Sequence, residues 1–152
     1  MNLKDFDIPK EAFIYAAIHI LSNRMQILGD RVDPTVSSKQ WFLLAAVSKF
    51  ENKPPNIGDI ADILGTSRQN VKKMADILER RGFLKLEKSH DDKRSTQLVL
   101  TKQCWEYFKS RENQEDRYID GIYQNMDEVI LESLCEGLDQ MIKNMDILLE
   151  KR

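Results

Sequence analysis

Asn56-Ile57-Gly58-Asp59-Ile60-Ala61-Asp62-Ile63-Leu64-Gly65-Thr66-Ser67-Arg68-Gln69-Asn70-Val71-Lys72-Lys73-Met74-Ala75-Asp76-Ile77-Leu78-Glu79-Arg80-Arg81-Gly82 holds the same helical pattern twice. Ile57, Ile60, Ala61 and Leu64 stand at i, i+3, i+4 and i+7, the period that lines one face of a helix. Asn56 is suited to cap that helix, with Asp59 three residues on. Gly65 breaks the pattern, Thr66 with Gln69 offers a second cap pair of the Thr-x-x-Gln kind, and Val71, Met74, Ala75 and Leu78 repeat the spacing. Gly82, directly after the basic Arg80 and Arg81, is the residue expected just past a helix end. The pattern predicts two short amphipathic helices meeting at one tight turn, the second over about residues 67–81.

Downstream, Leu84 and Leu86 alternate with Lys85 and Glu87, and Leu98 and Leu100 alternate with Gln97, Val99 and Thr101, as two half-buried strands would. The polar span 89–95 between them reads as a hairpin tip, so residues 84–100 form a basic hairpin directly after the helix pair. That order is the order of a winged helix-turn-helix.

Upstream, residues 8 to about 30 predict a long first helix carrying Ile14, Ala17, Ile18, Leu21, Met25 and Leu28, with Pro9 at its first position. Ser37 or Ser38 can cap a second helix with Leu43, Val47 and Phe50 on one face, ended before Lys53-Pro54-Pro55. After the hairpin, residues 102 to about 126 read as a helix with Trp105 and Phe108 at one end and Tyr118, Ile122 and Met126 at the other. A last helix from Asp127 places Leu131, Leu134, Leu138, Met141, Met145 and Leu148 at spacings of three and four, the stripe of a helix packed along another helix. The first helix of the same chain, a second copy, or both can supply that partner. The expected fold class is mainly α with a small β wing, in a single domain over 1–152. A winged helix-turn-helix lobe (35–101) is carried on a helical dimerisation frame (1–34 and 102–152), with Ile14 and Ile18 joining the last helix's stripe.

Composition sets the outer bounds. A chain of 152 residues, 41% hydrophobic and 32% charged, has the size and apolar content of one globular domain. The acids in Met1-Asn2-Leu3-Lys4-Asp5-Phe6-Asp7 do not suit a signal peptide, and the longest apolar run, interrupted by His19, is too short to span a membrane. Cys104 and Cys135 have neither a disulfide-framework nor a zinc-site spacing, and a reducing cytoplasm fits. The net charge of −2 hides a division: residues 66–97 carry nine bases against five acids, a segment of +4 in a chain otherwise at −6. A phosphate-facing surface and a solvated helix face would both give that tally.

On a helical wheel, turning Val71, Met74, Ala75 and Leu78 inward places Gln69, Lys73, Asp76 and Arg80 opposite them, flanked by Asn70 and Lys72. A recognition helix offers its N-terminal side chains to base edges, where Gln or Asn pairs with adenine and Lys or Arg with guanine. Ser67, Arg68, Gln69, Asn70, Lys72 and Lys73 are the candidate contacts with double-stranded DNA. Asp76 would repel phosphate and is expected to pair with Lys72, Lys73 or Arg80. In the hairpin tip, Lys93 and Arg94 are candidates for the minor groove, with Asp92 holding the Arg94 guanidinium in a charge-assisted pair. An ordinary polar turn and a plain solvated face are the bland alternatives. Neither histidine has neighbouring ligands, so no metal and no cofactor is expected.

These stretches, with Glu79-Arg80-Arg81-Gly82-Phe83-Leu84, Asp92-Lys93-Arg94 and Leu100-Thr101, resemble the MarR family of bacterial regulators over nearly the whole chain. The resemblance implies a homodimer with interlocked first and last helices, recognition helices in successive major grooves, and wing arginines in the minor groove. By motif, Asp92 and Arg94 fall on the family's wing Asp-x-Arg; Cys104 and Ser89 depart from the pattern, where glycine and an acid are usual. It further implies a repressor of a palindromic operator, released by a small-molecule effector between frame and lobe, with Tyr15, His19 and Trp41 as candidate contacts. Packed aromatics satisfy the same three positions. The related peroxide sensors carry a thiol near the start of the first helix. This chain has none there, and Cys104 and Cys135 read as small core residues. No phosphate-cradling loop, nucleophile elbow or His-Glu-x-x-His appears, so an enzyme is not expected. The competing reading is a winged-helix module that binds another protein and not a specific DNA.

Overall fold

The computed structural model describes residues 3–50, 53–89 and 94–150, and the side chains of these except 4 and 113–117. After a 3-10 turn at Leu3–Asp5, the order is α1 (Lys10–Val32), α2 (Ser38–Ser48), α3 (Ile57–Ile63), α4 (Arg68–Arg80), β1 (Leu84–Lys88), β2 (Thr96–Leu100), α5 (Lys102–Ile122) and α6 (Glu128–Glu150). The fold is mainly helical with a two-stranded antiparallel wing, as the periodicities require. The chain divides into two compact units, residues 1–107 and 108–152.

Helix ends in the first unit follow from a few side chains. Ser37 caps α2 by accepting from the Gln40 amide at 3.3 Å, while Gln40 Oε1 accepts from the Ser37 amide at 3.2 Å. Asn56 and Asp59 form the same reciprocal box on α3: Asn56 Oδ1 accepts from the Gly58 and Asp59 amides at 2.7 and 3.1 Å, and Asp59 Oδ2 from the Asn56 amide at 2.8 Å. Each box satisfies amides that a helix start leaves without partners.

Both helices of the pair end in one way. At α3, Gly65 is left-handed (φ +59) and donates to Asp62 O at 3.2 Å, and Thr66 donates to Ala61 O at 3.0 Å. At α4, Gly82 (φ +80) donates to Glu79 O at 2.9 Å, and Phe83 donates to Leu78 O at 3.0 Å. This is the Schellman arrangement, which places a residue at positive φ where glycine alone avoids a clash. It also corrects an expectation. Thr66 does not cap α4: its amide closes α3 and its hydroxyl accepts from the Asn70 side-chain amide, while Ser67, one residue on, caps α4 by accepting from the Asn70 backbone amide at 3.2 Å. Gln69 therefore stands outside the cap.

The core of this unit joins Val36 and α2 (Leu43, Leu44, Val47) to Ile60 and Ala61 of α3, Val71, Ala75 and Leu78 of α4, Phe83, Leu84, Leu98 and Cys104. Full burial of such aliphatic side chains stabilises by roughly 1.5–3 kcal/mol each. The wing pairs Leu84 with Leu100 and Leu86 with Leu98, so its leucine face is turned to this core. Leu98 also donates to Pro55 O at 2.9 Å, and Asn56 bridges to Gln97, adding a short third edge to the sheet.

Several finer expectations shift. Pro9 stands just before α1 in an extended conformation instead of opening it. Phe50 lies beyond the end of α2 and is 37% exposed, so it does not share the face of Leu43 and Val47. α5 stops at Ile122, short of Met126, because the chain turns through Asn125 at φ +65. Cys104 is a core residue whose thiol burial pushes up to about 11, but Cys135 is exposed. It lies on α6, of which no residue is buried within one chain.

In the second unit, Asp127 starts α6 by accepting from the Ile130 amide at 2.9 Å. Leu134, Leu138, Met145 and Leu148 are exposed, and Leu131 and Met141 are part-buried. In the first unit, α1 likewise has no buried residue, with Ile14 and Ile18 exposed.

Asp33, at the end of α1, gathers hydrogen bonds. Burial works against its charge, but bonds from the Thr35 hydroxyl, the Tyr107 hydroxyl (2.6 Å) and the Thr35 and Val36 amides outweigh it and hold the carboxyl at about 2. A carboxylate whose pKa is lower folded than unfolded stabilises above its unfolded value and loses that contribution as pH falls toward its folded one. Between about pH 4 and pH 2 the wild-type chain should therefore lose stability more steeply than Asp33→Asn, and the variant should be less stable at pH 7. Urea midpoints across that window check this, and parallel acid limbs would contradict it.

The two helix-ending glycines make a paired test. A left-handed non-glycine residue costs roughly 1–2 kcal/mol. A Cβ at Gly65 meets nothing within 4 Å, whereas one at Gly82 lies 2.6 Å from Gln103 Oε1, whose side-chain amide donates to Arg81 O at 3.1 Å. Gly82→Ala should destabilise more than Gly65→Ala in chemical denaturation; equal midpoints would show that the Gln103 contact carries no weight.

Candidate nucleic-acid interface

α4 has one face fully buried, through Val71, Ala75 and Leu78, and the other in solvent, where Arg68, Gln69, Asn70, Lys72, Lys73 and Arg80 are all exposed. The predicted residues are thus brought together on the first two turns of one rigid helix, with Ser67 as its cap. Their local ties differ. Asn70 Nδ2 donates to Thr66 Oγ1 at 3.2 Å, and Lys72 pairs with Asp76, as expected for that acid. Arg80 reaches back along the helix, its Nε donating to Asp76 O at 3.2 Å.

The Lys72–Asp76 pair sits at i, i+4 with both side chains nearly half exposed. Such pairs contribute about 0.3–0.5 kcal/mol. A bidentate base contact is worth about 1–3 kcal/mol, so Lys72 can leave Asp76 for a base or phosphate at small cost.

Arg68 packs across the start of α3. A Cβ on Gly58 would stand 3.4 Å from both its Nε and Nη2 and 2.9 Å from Asn56 Oδ1. The absence of a side chain at Gly58 leaves space for the guanidinium beside the capped helix end, which sets the direction in which Arg68 leaves α4.

On the wing, Arg94 is exposed at the tip and precedes β2. Asp92 and Lys93 lie outside the described residues. At the base of the tip, Ser89 is buried and donates from its amide to Ser95 O at 3.0 Å, adding one rung to the ladder.

The candidate effector residues are divided between two helices. Tyr15 and His19 form an edge-to-face pair on α1 with ring centroids 4.7 Å apart, and Tyr15 is 68% exposed. Trp41 is half-buried on α2. None of the three lines the hollow of about 400 Å³ bounded by Phe50, Lys53, Pro55, Asp59, Ser89 and Gln97.

Sequence reasoning missed the junction behind the interface. The Thr101 hydroxyl donates to Gly82 O at 2.6 Å with Phe83 O at 3.2 Å, and accepts from the Cys104 amide at 3.2 Å. Phe83 stacks edge-on against Tyr107 at 5.1 Å with Arg81 over its ring at 5.7 Å. Thr101 stood at the end of an alternating strand pattern, and only its place opposite Gly82 reveals the role.

An exposed polar helix face backed by a buried one, entered through a tight turn and followed by a tethered hairpin, defines a winged helix-turn-helix protein. The MarR family model matches residues 36–96, from just before α2 to the start of β2. The transcriptional repressor MprA of Escherichia coli strain K12 is 28% identical over 90 residues, 59% of this chain and 49% of that protein; the match spans about half the length of that relative. Among solved structures, a MarR protein from Peptoclostridium difficile is similar with a TM-score of 0.80 at 20% identity, over 99% of this chain and 96% of that one. Sco3205, a MarR family transcriptional regulator from Streptomyces coelicolor in complex with DNA, is similar with a TM-score of 0.78 at 16% identity, over 91% and 92% of the two chains. At these identities the structural likeness is one of fold. No helix among the described residues is long and apolar enough to cross a membrane.

Removing the Thr101 hydroxyl while keeping its shape tests the junction. Thr101→Val should destabilise by about 1–2 kcal/mol, the cost of a part-buried carbonyl left without its donor, and Thr101→Ser should restore most of it. Denaturation of the two variants decides; a valine variant as stable as wild type would remove Thr101 from this role.

Proposed function

We propose that this chain is a homodimeric, sequence-specific, double-stranded DNA-binding transcriptional regulator of the cytoplasm, acting as a repressor of a palindromic operator. The observation that carries the reading is the α4 surface: Arg68, Gln69, Asn70, Lys72 and Lys73 exposed together on a helix whose other face is locked in the core. Gln69 and Asn70 suit adenine edges, Lys72, Lys73 and Arg68 suit guanine or phosphate, and Ser67 suits a phosphate at the helix start. Arg94, with Lys93 beside it and Asp92 orienting it, would reach the minor groove.

Dimerisation is supported by the unburied helices. Apolar side chains of α1 (Ile14, Ile18) and α6 (Leu134, Leu138, Met145, Leu148) stand in solvent in the single chain, and Leu148 is 66% exposed. Water-facing apolar surface of this extent marks an interaction face, and a second copy that also buries its own stripe satisfies both. The domain is then one unit of function, with residues 1–34 and 102–152 as the dimer frame and 35–101 as the reading lobe. An effector would release DNA by binding the DNA-competent and incompetent conformations unequally, with Tyr15, His19 and Trp41 as its contacts.

Selection of random duplex DNA by the purified protein at physiological salt tests the reading. Enrichment of an inverted repeat with half-sites about one helical turn apart is expected. Solution mass should be twice 17.8 kDa. Gln69→Ala should alter the base preferred at one position, whereas Arg94→Ala should weaken affinity with the preference kept. A monomer, or retention of no sequence with binding insensitive to salt, would favour a protein partner instead.

A further inference from the structure

The wing is a two-stranded hairpin, and such a ribbon is at best marginally stable alone. Its orientation must come from what its edges bind. In an antiparallel pair, residues opposite each other alternate between those that exchange N–H bonds and those whose N–H groups turn outward. Ser89 bonds Ser95 and Thr101 bonds Phe83 across the ladder, which makes the Leu86–Leu98 rung one of the outward-turned kind.

Both outward amides of that rung are captured by the helix-turn-helix. On the β2 edge, Leu98 donates to Pro55 O, just before α3, at 2.9 Å. On the β1 edge, Leu86 donates to Glu79 Oε1, in the last turn of α4, at 2.7 Å. The second bond is charge-assisted, joins residues seven apart in sequence, and is a side-chain link from the proposed recognition helix to the free edge of the wing.

We propose that Glu79 is a positioning residue for DNA binding: its carboxylate, with the Pro55 carbonyl on the other edge, clamps the Leu86–Leu98 rung and so sets the angle at which the wing leaves α4. This rests on the proposed reading of α4 and the wing as a DNA interface. The lever arm gives the clamp its leverage. Arg94 lies four residues beyond Leu98, about 13 Å along an extended strand. A pivot of about 10° at the rung moves the tip by about 2 Å, enough to take a guanidinium out of hydrogen-bond range of a groove it had been aimed at.

Glu79 does not need to touch DNA for this. A carboxylate beside a phosphate-facing helix is otherwise unfavourable electrostatically, so removing it for charge alone would tighten binding. The clamp predicts the opposite sign.

Three full-length variants, Glu79→Ala, Glu79→Gln and Arg94→Ala, with the double variant of Glu79→Ala and Arg94→Ala, carry the test. Amide hydrogen exchange at Leu86 needs no DNA. It should be at least tenfold faster in Glu79→Ala and close to wild type in Glu79→Gln, whose amide oxygen still accepts. Unchanged exchange in Glu79→Ala would overturn the clamp whatever the chain binds. Affinity for the duplex recovered by selection should fall about tenfold in Glu79→Ala and be largely restored in Glu79→Gln. Arg94→Ala should add little to Glu79→Ala, because a misdirected wing has already lost that contact. Additive losses, or tighter binding by Glu79→Ala, would overturn the positioning role. Altered exchange with no duplex selected would leave the clamp standing and refute the DNA reading instead.

Discussion

One hydroxyl joins the parts of this lobe that could otherwise move independently. Thr101 Oγ1 donates to the carbonyl of Gly82, which ends α4, and accepts from the Cys104 amide, which starts α5, while the Thr101 amide holds Phe83 at the root of β1. Four elements therefore share one residue. The geometry depends on Gly82 at φ +80: the left-handed turn both closes α4 through the Glu79 and Leu78 carbonyls and turns the Gly82 carbonyl to meet the hydroxyl. Fully buried Cys104 then fixes the α5 start against the core.

The proposed reading surface follows from the same economy of burial. α4 buries Val71, Ala75 and Leu78 completely, so its rotation about its own axis is set, and the polar residues between them have one direction in which to point. Local bonds refine this. Asn70 is tied to Thr66 and Lys72 to Asp76, links weak enough to exchange for a stronger external partner, while Arg68 is steered by the empty space over Gly58. A helix rigid in its backbone and exchangeable in its side-chain contacts suits a surface that must dock first and read afterwards.

Similarity of fold at 16–20% identity over most of the chain fits what holds this structure together. Little of it requires a particular side chain on the surface. It requires apolar residues at the helical and strand repeats, side-chain caps at the starts of α2, α3, α4 and α6, and a glycine at the left-handed ends of α3 and α4. Those demands constrain residue class at fixed spacing, and they leave the exposed face of α4 and the stripes of α1 and α6 to vary.

The order of elements, the turn between α3 and α4, the Gly82 stop, the leucine alternation of the wing strands and a basic partner for Asp76 on its own helix were all legible in the sequence, because each is a local consequence of period, cap or left-handed glycine; which of Lys72, Lys73 and Arg80 pairs with Asp76, and which leucines face each other, were not. The Thr66 cap was misread for a local reason too: the closing bonds of α3 extend one residue past Gly65, the Thr66 hydroxyl takes the Asn70 side chain, and Ser67 caps α4 instead. Cys135 was misread because a stripe on a helix announces that something packs there without saying whether the same chain supplies it. What tertiary structure alone decided is the set of bonds between different elements. Thr101 to Gly82, Tyr107 to Asp33 and Leu86 to Glu79 obey no spacing rule, since they exist only once packing has brought their elements together. The sequence by itself determined which elements form and which face of each is apolar; how the wing is fastened to the helix it accompanies was settled by packing, because hydrogen-bond partners are chosen by distance in space and not along the chain.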